Sequence, residues 1–291
     1  SSLISVNGGT LNMYSGEIAL TYTGSGDIQT IELSNNSTAG FTGGTVKLTT
    51  SNTAMSGSRR ATTVYQNGGA VTVCGTAVLS LQLVKSLSEA GYGALCVTGG
   101  GSLRVQENCT IEAFVKSEPT FAVYLGTTGG SAEGGSATIS GGTIGYLNVG
   151  GAKGSVNISG GHVDYIQNQG TLTMTGGSVG GETAAWENHG VIWNQGTANL
   201  SGDVVITASQ GGGIGVSTEK AGSSLTLSGN VAIHAGIGVR VGNGGSAPTI
   251  GDGVTITAAQ YGVVGSATLT GAPSISGRTA DLYLFSKDVA S

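Results

Sequence analysis

The sequence predicts an all-β protein, a single-stranded right-handed parallel β-helix (solenoid) of about 12 coils with three short strands per coil. Three observations predict this fold. Glycine accounts for 55 of the 291 residues and proline for only 3, so the chain is rich in turns. Apolar residues alternate with small polar residues over short stretches, as in strands. One pattern of strand, glycine turn and strand also returns along the whole chain.

The repeated unit is a pair of alternating apolar residues, a tight glycine turn and a second alternating pair. It is clearest at residues 71–81 (VTVCGTAVLSL), 198–208 (ANLSGDVVITA) and 225–235 (LTLSGNVAIHA). The apolar residue before the turn recurs about every 23 residues, which suits one coil of a parallel β-helix. Parallel crossovers are almost always right-handed, so a right-handed coil is expected. The markers are Met13, Leu33, Leu48, Val73, Val105, Ile139, Ile158, Met174, Leu200, Leu227, Ile250 and Leu269.

An asparagine in the preceding turn is a second feature of the repeat. Asparagine suits a turn because it tolerates the left-handed backbone region and its amide can bond to the backbone. Stacked coils would align these side chains into a ladder, and the same alignment places Gln167 beneath Trp193. The asparagines concerned are Asn7, Asn67, Asn168 and Asn194.

The composition hardly changes along the chain, which favours one domain over residues 1–291, a fragment of a larger protein. Additional structure is expected where the interval between repeats is long. Residues 79–93 place Leu81, Val84 and Leu87 at helical spacing, which predicts a short helix that shields the side of the coils.

Composition also argues against several classes of function. The net charge is −5 with only 11 Lys and Arg, so no basic surface is expected to bind nucleic acid. No apolar run approaches the length of a membrane span, so this segment is not expected to insert into a membrane. Cys74, Cys96 and Cys109 form no metal-binding motif and are interpreted as small buried hydrophobes or unreactive thiols. No metal or cofactor is expected.

Several short units carry a family resemblance. The segments SGGTIG (140–145), SGGHVD (159–164) and TGGSVG (175–180) belong to this group, together with LTGAPSISGRTADLYL (269–284). They resemble the right-handed parallel β-helix repeat regions of bacterial cell-surface adhesin-like proteins of Gram-positive type. The resemblance implies an extracellular, cell-surface or cell-wall location and a role in binding or display. It implies no catalytic residues.

The best concentration of functional side chains lies at residues 158–200. Aromatic rings beside amide and carboxylate groups are typical of surfaces that bind sugars, because the rings pack on the pyranose and the polar groups meet its hydroxyls. The sequence therefore predicts a non-enzymatic adhesin or stalk domain that presents a face to a host or environmental glycan or to a surface protein. Its expected contact residues are Tyr146, Tyr165, Trp186 and Trp193.

Two alternatives stay open. A polysaccharide lyase or glycoside hydrolase would need carboxyl groups that converge in a cleft. Its candidates are Asp164, Glu182, Glu187 and His189, although the sequence shows no acid pair in register and leans against an enzyme. A purely structural spacer is the other alternative. In each case open strand edges at the ends of the coils would favour end-to-end self-association.

Overall fold

The computed structural model describes residues 1–50, 61–84, 92–116, 118–126, 134–181, 189–209, 211–242 and 244–284. The chain forms two compact units, Ser1–Val156 and Asn157–Ser291. The described residues form strands and turns, without a helix. Consequently no helix in this part of the chain is long and apolar enough to span a membrane.

Fifteen strands lie in the first unit. They are β1 (Ser2–Asn7), β2 (Thr10–Met13), β3 (Glu17–Tyr22), β4 (Ile28–Ser34), β5 (Thr38–Phe41), β6 (Thr45–Thr50), β7 (Ala61–Asn67), β8 (Ala70–Val73), β9 (Val78–Leu83), β10 (Tyr92–Thr98), β11 (Ser102–Val105), β12 (Thr110–Val115), β13 (Glu118–Pro119), β14 (Phe121–Leu125) and β15 (Ser136–Val149).

Most pairing in the first unit is parallel and joins each strand to the third strand after it. The three resulting ladders are β1–β4–β7–β10, β2–β5–β8–β11 and β3–β6–β9–β12. Residues at equivalent positions stack, as Ile31, Val64 and Leu95 do in the first ladder, and all three are fully buried. The alternation of apolar and polar residues therefore fills an interior between the ladders, as expected for strands with one buried face.

Twelve strands follow. They are β16 (Ser155–Asn168), β17 (Thr171–Val179), β18 (Ile192–Asn194), β19 (Thr197–Thr207), β20 (Ile214–Thr218), β21 (Ser224–Leu227), β22 (Ala232–Val241), β23 (Thr249–Ile250), β24 (Thr255–Val264), β25 (Thr268–Leu269), β26 (Ser274–Gly277) and β27 (Ala280–Tyr283).

Six of these strands close into a ring. Strand β16 pairs with β18, β18 with β20 and β20 with β22, all parallel. Strand β22 pairs with β19, β19 with β17, and β17 returns to β16. The result is a closed six-stranded parallel barrel with many more strands outside it. Its interior is filled by branched apolar side chains such as Val163, Ile166, Ile206 and Val239.

The predicted right-handed β-helix of about 12 coils with three short strands each is therefore wrong. Several glycine turns that were expected to separate strands lie within long strands. Gly161 in β16 and Gly177 in β17 adopt positive φ values of 83° and 89°, which glycine tolerates because it has no Cβ. The chain bends there without leaving the sheet, so β16 and β22 each contribute to two sides of the ring.

The predicted helix at residues 79–93 is also not found where the structure describes this segment. Residues 79–83 belong to strand β9, whose Leu81 is fully buried, and residues 85–91 lie outside the described residues. Leu79, Leu81 and Leu83 alternate with Ser80 and Gln82, and this two-residue period prevails over the helical spacing.

Candidate functional site

Trp193 occupies the outer side of β18. Its neighbours in the strand, Ile192 and Asn194, are fully buried, so alternation directs the indole away from the interior. Trp193 is in register with Gln167 of β16 on one side and with Ser217 of β20 on the other. The predicted alignment of Gln167 with Trp193 is thus confirmed.

The imidazole of His189 stacks on this indole. The ring centroids of His189 and Trp193 are 4.1 Å apart and their planes differ by 17°. His189 Nδ1 lies 3.2 Å from Glu219 Oε2, and the carbonyl of His189 accepts a short hydrogen bond from Ser217 Oγ. The imidazole is about two-fifths exposed, so the stack presents an aromatic face to solvent. The indole Nε1, by contrast, is buried without a hydrogen-bond partner among the described residues.

A carboxylate and a guanidinium complete the cluster. Glu219, which directly follows β20, accepts a hydrogen bond from Arg240 Nη2 through the carboxylate oxygen that does not face His189. Arg240 is in register with Ser217, two strands from Trp193. Glu219 is mostly buried and therefore needs its charged partner, because an unpaired carboxylate would be costly there. Trp193, His189, Glu219 and Arg240 are called the aromatic–charged cluster below.

Side-chain amides flank this cluster. Gln169 Nε2 donates to Gln195 Oε1 at 3.2 Å, and both side chains are partly exposed. Gln167, in register with Trp193, is also partly exposed. Donors and acceptors thus lie next to the stacked rings.

A second group of polar side chains lies on β16 and β17. His162 Nδ1 is 2.8 Å from Ser178 Oγ, and His162 Nε2 is 3.1 Å from Asp164 Oδ1. The side chains of His162 and Asp164 are 37% and 33% exposed. The hydrogen bond to Asp164 raises the pKa of His162 above its ordinary value; burial acts in the opposite direction, and the charge of Asp164 and a bond to the Gly180 backbone add smaller increases. His162, Asp164 and Ser178 are called the serine–histidine cluster below.

The four predicted ligand contacts are not brought together. Tyr146 is 2% exposed and Tyr165 is 3% exposed, so both rings lie in the interior and not on a surface open to a ligand. Trp186 lies outside the described residues. Trp193 is the predicted contact that the structure places in a cluster of aromatic and polar groups.

The candidates for a polysaccharide-active enzyme do not converge either. Asp164 belongs to the serine–histidine cluster and His189 to the aromatic–charged cluster. Glu182 and Glu187 lie outside the described residues. Two carboxyl groups that face each other across a cleft are therefore not observed in the described part of the chain.

Metal ligands and cysteines give no further site. Within the described ranges, no three His, Cys, Asp or Glu residues lie close enough to hold a metal ion. Cys74, Cys96 and Cys109 form no disulfide with one another; Cys96 and Cys109 are buried, and Cys74 is partly buried. Burial raises the pKa of the Cys109 thiol to about 11, so this sulfur is protonated and unreactive at neutral pH.

Neither the protein-family models, nor the curated proteins, nor the solved structures include a match to this chain.

Sequence reasoning missed Glu219, Arg240 and Ser178. A signal for Arg240 was present, because aligning GVIWN (190–194) with GIGVST (213–218) and GIGVRV (236–241) places Trp193, Ser217 and Arg240 in one row. Ser178 gave no comparable signal, since serine after a glycine pair is common in this chain.

Proposed function

We propose that this protein is an extracellular binding domain, of adhesin or stalk type, that holds a glycan at the aromatic–charged cluster. The observation that carries the proposal is the parallel stack of His189 on Trp193 beside the Glu219 carboxylate. A pyranose presents an apolar face that packs on such rings, and its hydroxyls need nearby acceptors and donors.

The surroundings of the stack supply both kinds of polar group. The Glu219 carboxylate offers acceptor lone pairs and the Arg240 guanidinium offers donors, while Gln169 and Gln195 add amides. The Arg240–Glu219–His189 chain of hydrogen bonds also fixes the position of the imidazole. A site whose side chains are already held in place loses less conformational entropy when a ligand binds. The proposed role of this cluster is to bind the glycan without converting it chemically.

A surface location is part of the same proposal. It is supported by the resemblance of the glycine-turn repeats to those of bacterial adhesin-like proteins and by the low content of charged residues. Labelling of intact cells with an antibody against this chain tests it, with signal before permeabilisation as the expected result. Signal only after permeabilisation would contradict an extracellular location.

The binding proposal is tested on a glycan array with the purified 291-residue chain and the variants Trp193→Ala and His189→Ala. Loss of one aromatic contact worth about 1.4 kcal/mol should weaken binding about tenfold. Tyr14→Ala is the matched control, because Tyr14 is an exposed aromatic residue of the other unit, 73% exposed. Circular dichroism establishes that each variant is folded.

Two results would overturn the proposal. The first is a wild-type chain that binds no glycan on the array. The second is a folded Trp193→Ala variant that binds a glycan as tightly as the wild type does, because the ligand would then lie elsewhere on the protein.

A further inference from the structure

The serine–histidine cluster combines three groups that together can activate a hydroxyl. His162 and Asp164 lie two residues apart on β16 and therefore project from the same side of the strand. Ser178 lies on the neighbouring strand β17, directly after the bend at Gly177. The imidazole lies between the carboxylate and the hydroxyl, with one ring nitrogen bonded to each.

The carboxylate determines which nitrogen carries the proton in neutral His162. Asp164 Oδ1 can only accept a hydrogen bond, so it favours the tautomer with hydrogen on Nε2. The Nδ1 lone pair then faces the Ser178 hydroxyl at 2.8 Å. This is the relationship between base, orienting carboxylate and nucleophile that serine-type acyl transfer requires, with the two ring nitrogens exchanged relative to the most familiar arrangement.

We propose that Ser178, His162 and Asp164 form a hydrolytic site for carboxylic esters, separate from the glycan-binding cluster and beyond its binding role. The side chains of His162 and Asp164 are about one-third exposed and Ser178 is partly exposed, so an acyl ester carried by a polymer can approach them from outside the strands. The substrate class is therefore an O-acyl group on a hydroxyl of an extended molecule such as a polysaccharide.

The reaction balances with water as the only co-reactant. Ser178 Oγ attacks the ester carbonyl carbon while His162 Nδ1 takes the hydroxyl proton. The bond from that carbon to the alkoxy oxygen breaks, and the proton passes from His162 to the departing alcohol. Water then attacks the acyl carbon and gives a proton to His162; the bond from that carbon to Ser178 Oγ breaks, the proton passes from His162 to Oγ, and the carboxylic acid is released.

Each group has a distinct role. Ser178 and His162 are catalytic residues because they contact the reacting atoms. Asp164 is a positioning residue that orients the imidazole and stabilises its charged form. The next charged group along the ring is Asp203 on β19, in register with Gly176 and bonded to Asn230. A Cβ added at Gly181 would lie 3.5 Å from Asp164 Oδ1, so the chain after β17 passes close to this carboxylate.

A fluorophosphonate probe tests the nucleophile on the full chain. Serine attack displaces fluoride and leaves a covalent adduct that mass spectrometry assigns to a residue. We expect the adduct on Ser178, none in Ser178→Ala, and labelling at least tenfold slower in His162→Gln. Ser159→Ala is the matched control, since Ser159 is an exposed serine on β16, and it should label within twofold of the wild type. An unlabelled wild type, or labelling that His162→Gln leaves unchanged, would overturn the proposal.

Hydrolysis of p-nitrophenyl acetate tests the roles of the other two residues. The rate should rise as His162 loses its proton, with a midpoint above the 6.5 of an unperturbed histidine. Asp164→Asn should lower that midpoint and reduce the maximal rate at least tenfold, whereas a carboxylate with a merely structural role would leave the midpoint in place. A pH-independent rate, or turnover unchanged in folded Ser178→Ala, would contradict the assignment.

Discussion

Asn168 and Asn194 are completely buried on neighbouring strands, and a 2.8 Å hydrogen bond joins the amide nitrogen of the first to the amide oxygen of the second. Each amide also bonds to the backbone: Asn168 donates to the carbonyl of Thr197 and Asn194 to that of Ser224. The ladder of asparagines predicted from the sequence is thus confirmed for this pair.

Replacing Asn168 with alanine should lower the free energy of unfolding by about 2–4 kcal/mol. The change removes several hydrogen bonds: the Gly170 N–H loses its side-chain acceptor, the Thr197 carbonyl loses a donor, and the Asn194 amide oxygen loses one of its two donors. Urea unfolding followed by circular dichroism measures the effect. Asn199→Ala is the control, because Asn199 is exposed, and it should cost less than about 0.5 kcal/mol. An equal loss of unfolding free energy in the two variants would show that the buried asparagine ladder does not stabilise the fold.

Gly180→Ala should destabilise the second unit strongly. A Cβ at this position would lie 1.8 Å from the carbonyl oxygen of Thr207, and φ is +132°. The clash is with backbone, so relief requires movement of β19, and we expect a loss of at least about 2 kcal/mol. Gly211→Ala, whose nearest contact is Ser209 Oγ at 3.5 Å, is the matched control. Thermal melting of the two variants distinguishes them, and a Gly180→Ala melting temperature equal to that of the control would contradict the packing described.

The stability contributed by His162 should depend on pH. Its pKa is raised in the folded protein, mainly by the hydrogen bond to Asp164, so protonation favours the folded state. The contribution is fully present below about pH 6.5, the unfolded value, and is lost as the pH rises through the folded pKa. The melting temperature of the wild type minus that of His162→Gln should therefore be larger at pH 5 than at pH 9. A difference that grows with pH would show that the folded pKa is lowered instead.

Cys109 should react with iodoacetamide far more slowly than Cys74 at pH 8. Its thiol lies 3.1 Å from the carbonyl of Gln106 and has a pKa of about 11, whereas Cys74 is only partly buried. The thiolate is the reacting form, so a raised pKa and burial act together. Peptide mapping by mass spectrometry gives both rates. In urea the two cysteines should become similar, and a persistent difference there would point to a cause other than burial.

The sequence predicted much of the register between neighbouring strands, but it did not predict that six strands close into a ring. The markers Met174, Leu200, Leu227, Ile250 and Leu269 are in register, as the repeat required. Near the start, the alternation suggested markers at Leu33 and Leu48, but the position in register with Met13 and Val73 is Phe41. Those two leucines are buried in the other ladders, and periodicity cannot distinguish one buried strand from another.

The ring of six strands could not be predicted because glycine pairs have two structural outcomes. Gly142 and Gly161 lie at bends inside β15 and β16, whereas Gly68 and Gly69 form a turn that separates β7 from β8. Both arrangements place glycine at positive φ, so the residue type does not distinguish a bend within a strand from a turn between strands. The difference depends on which strands pair on either side, which is a property of the assembled sheet.

The candidate sites depended on contacts between distant segments. The sequence pattern around Tyr146 and Tyr165 is compatible with either the buried or the exposed face of a strand. In the structure both residues are buried. Glu219 lies 30 residues from the His189 that it contacts, and no local pattern relates the two. The hydrogen bond from His162 to Asp164 joins residues two apart, and this proximity was visible in the sequence.

The row that contains Ser178 shows how little the backbone restricts the outer surface. In register with Ser178 lie Val205, then Ala232, Thr255 and Ser274, each partly or fully exposed. Side chains with a hydroxyl, a branched apolar group or a methyl group therefore occupy equivalent outward-facing positions on successive strands, while the interior stays apolar. Evolution can vary such positions one at a time with small effects on stability. Chains descended from a common ancestor with this architecture would then keep the same interior while acquiring different ligands or substrates.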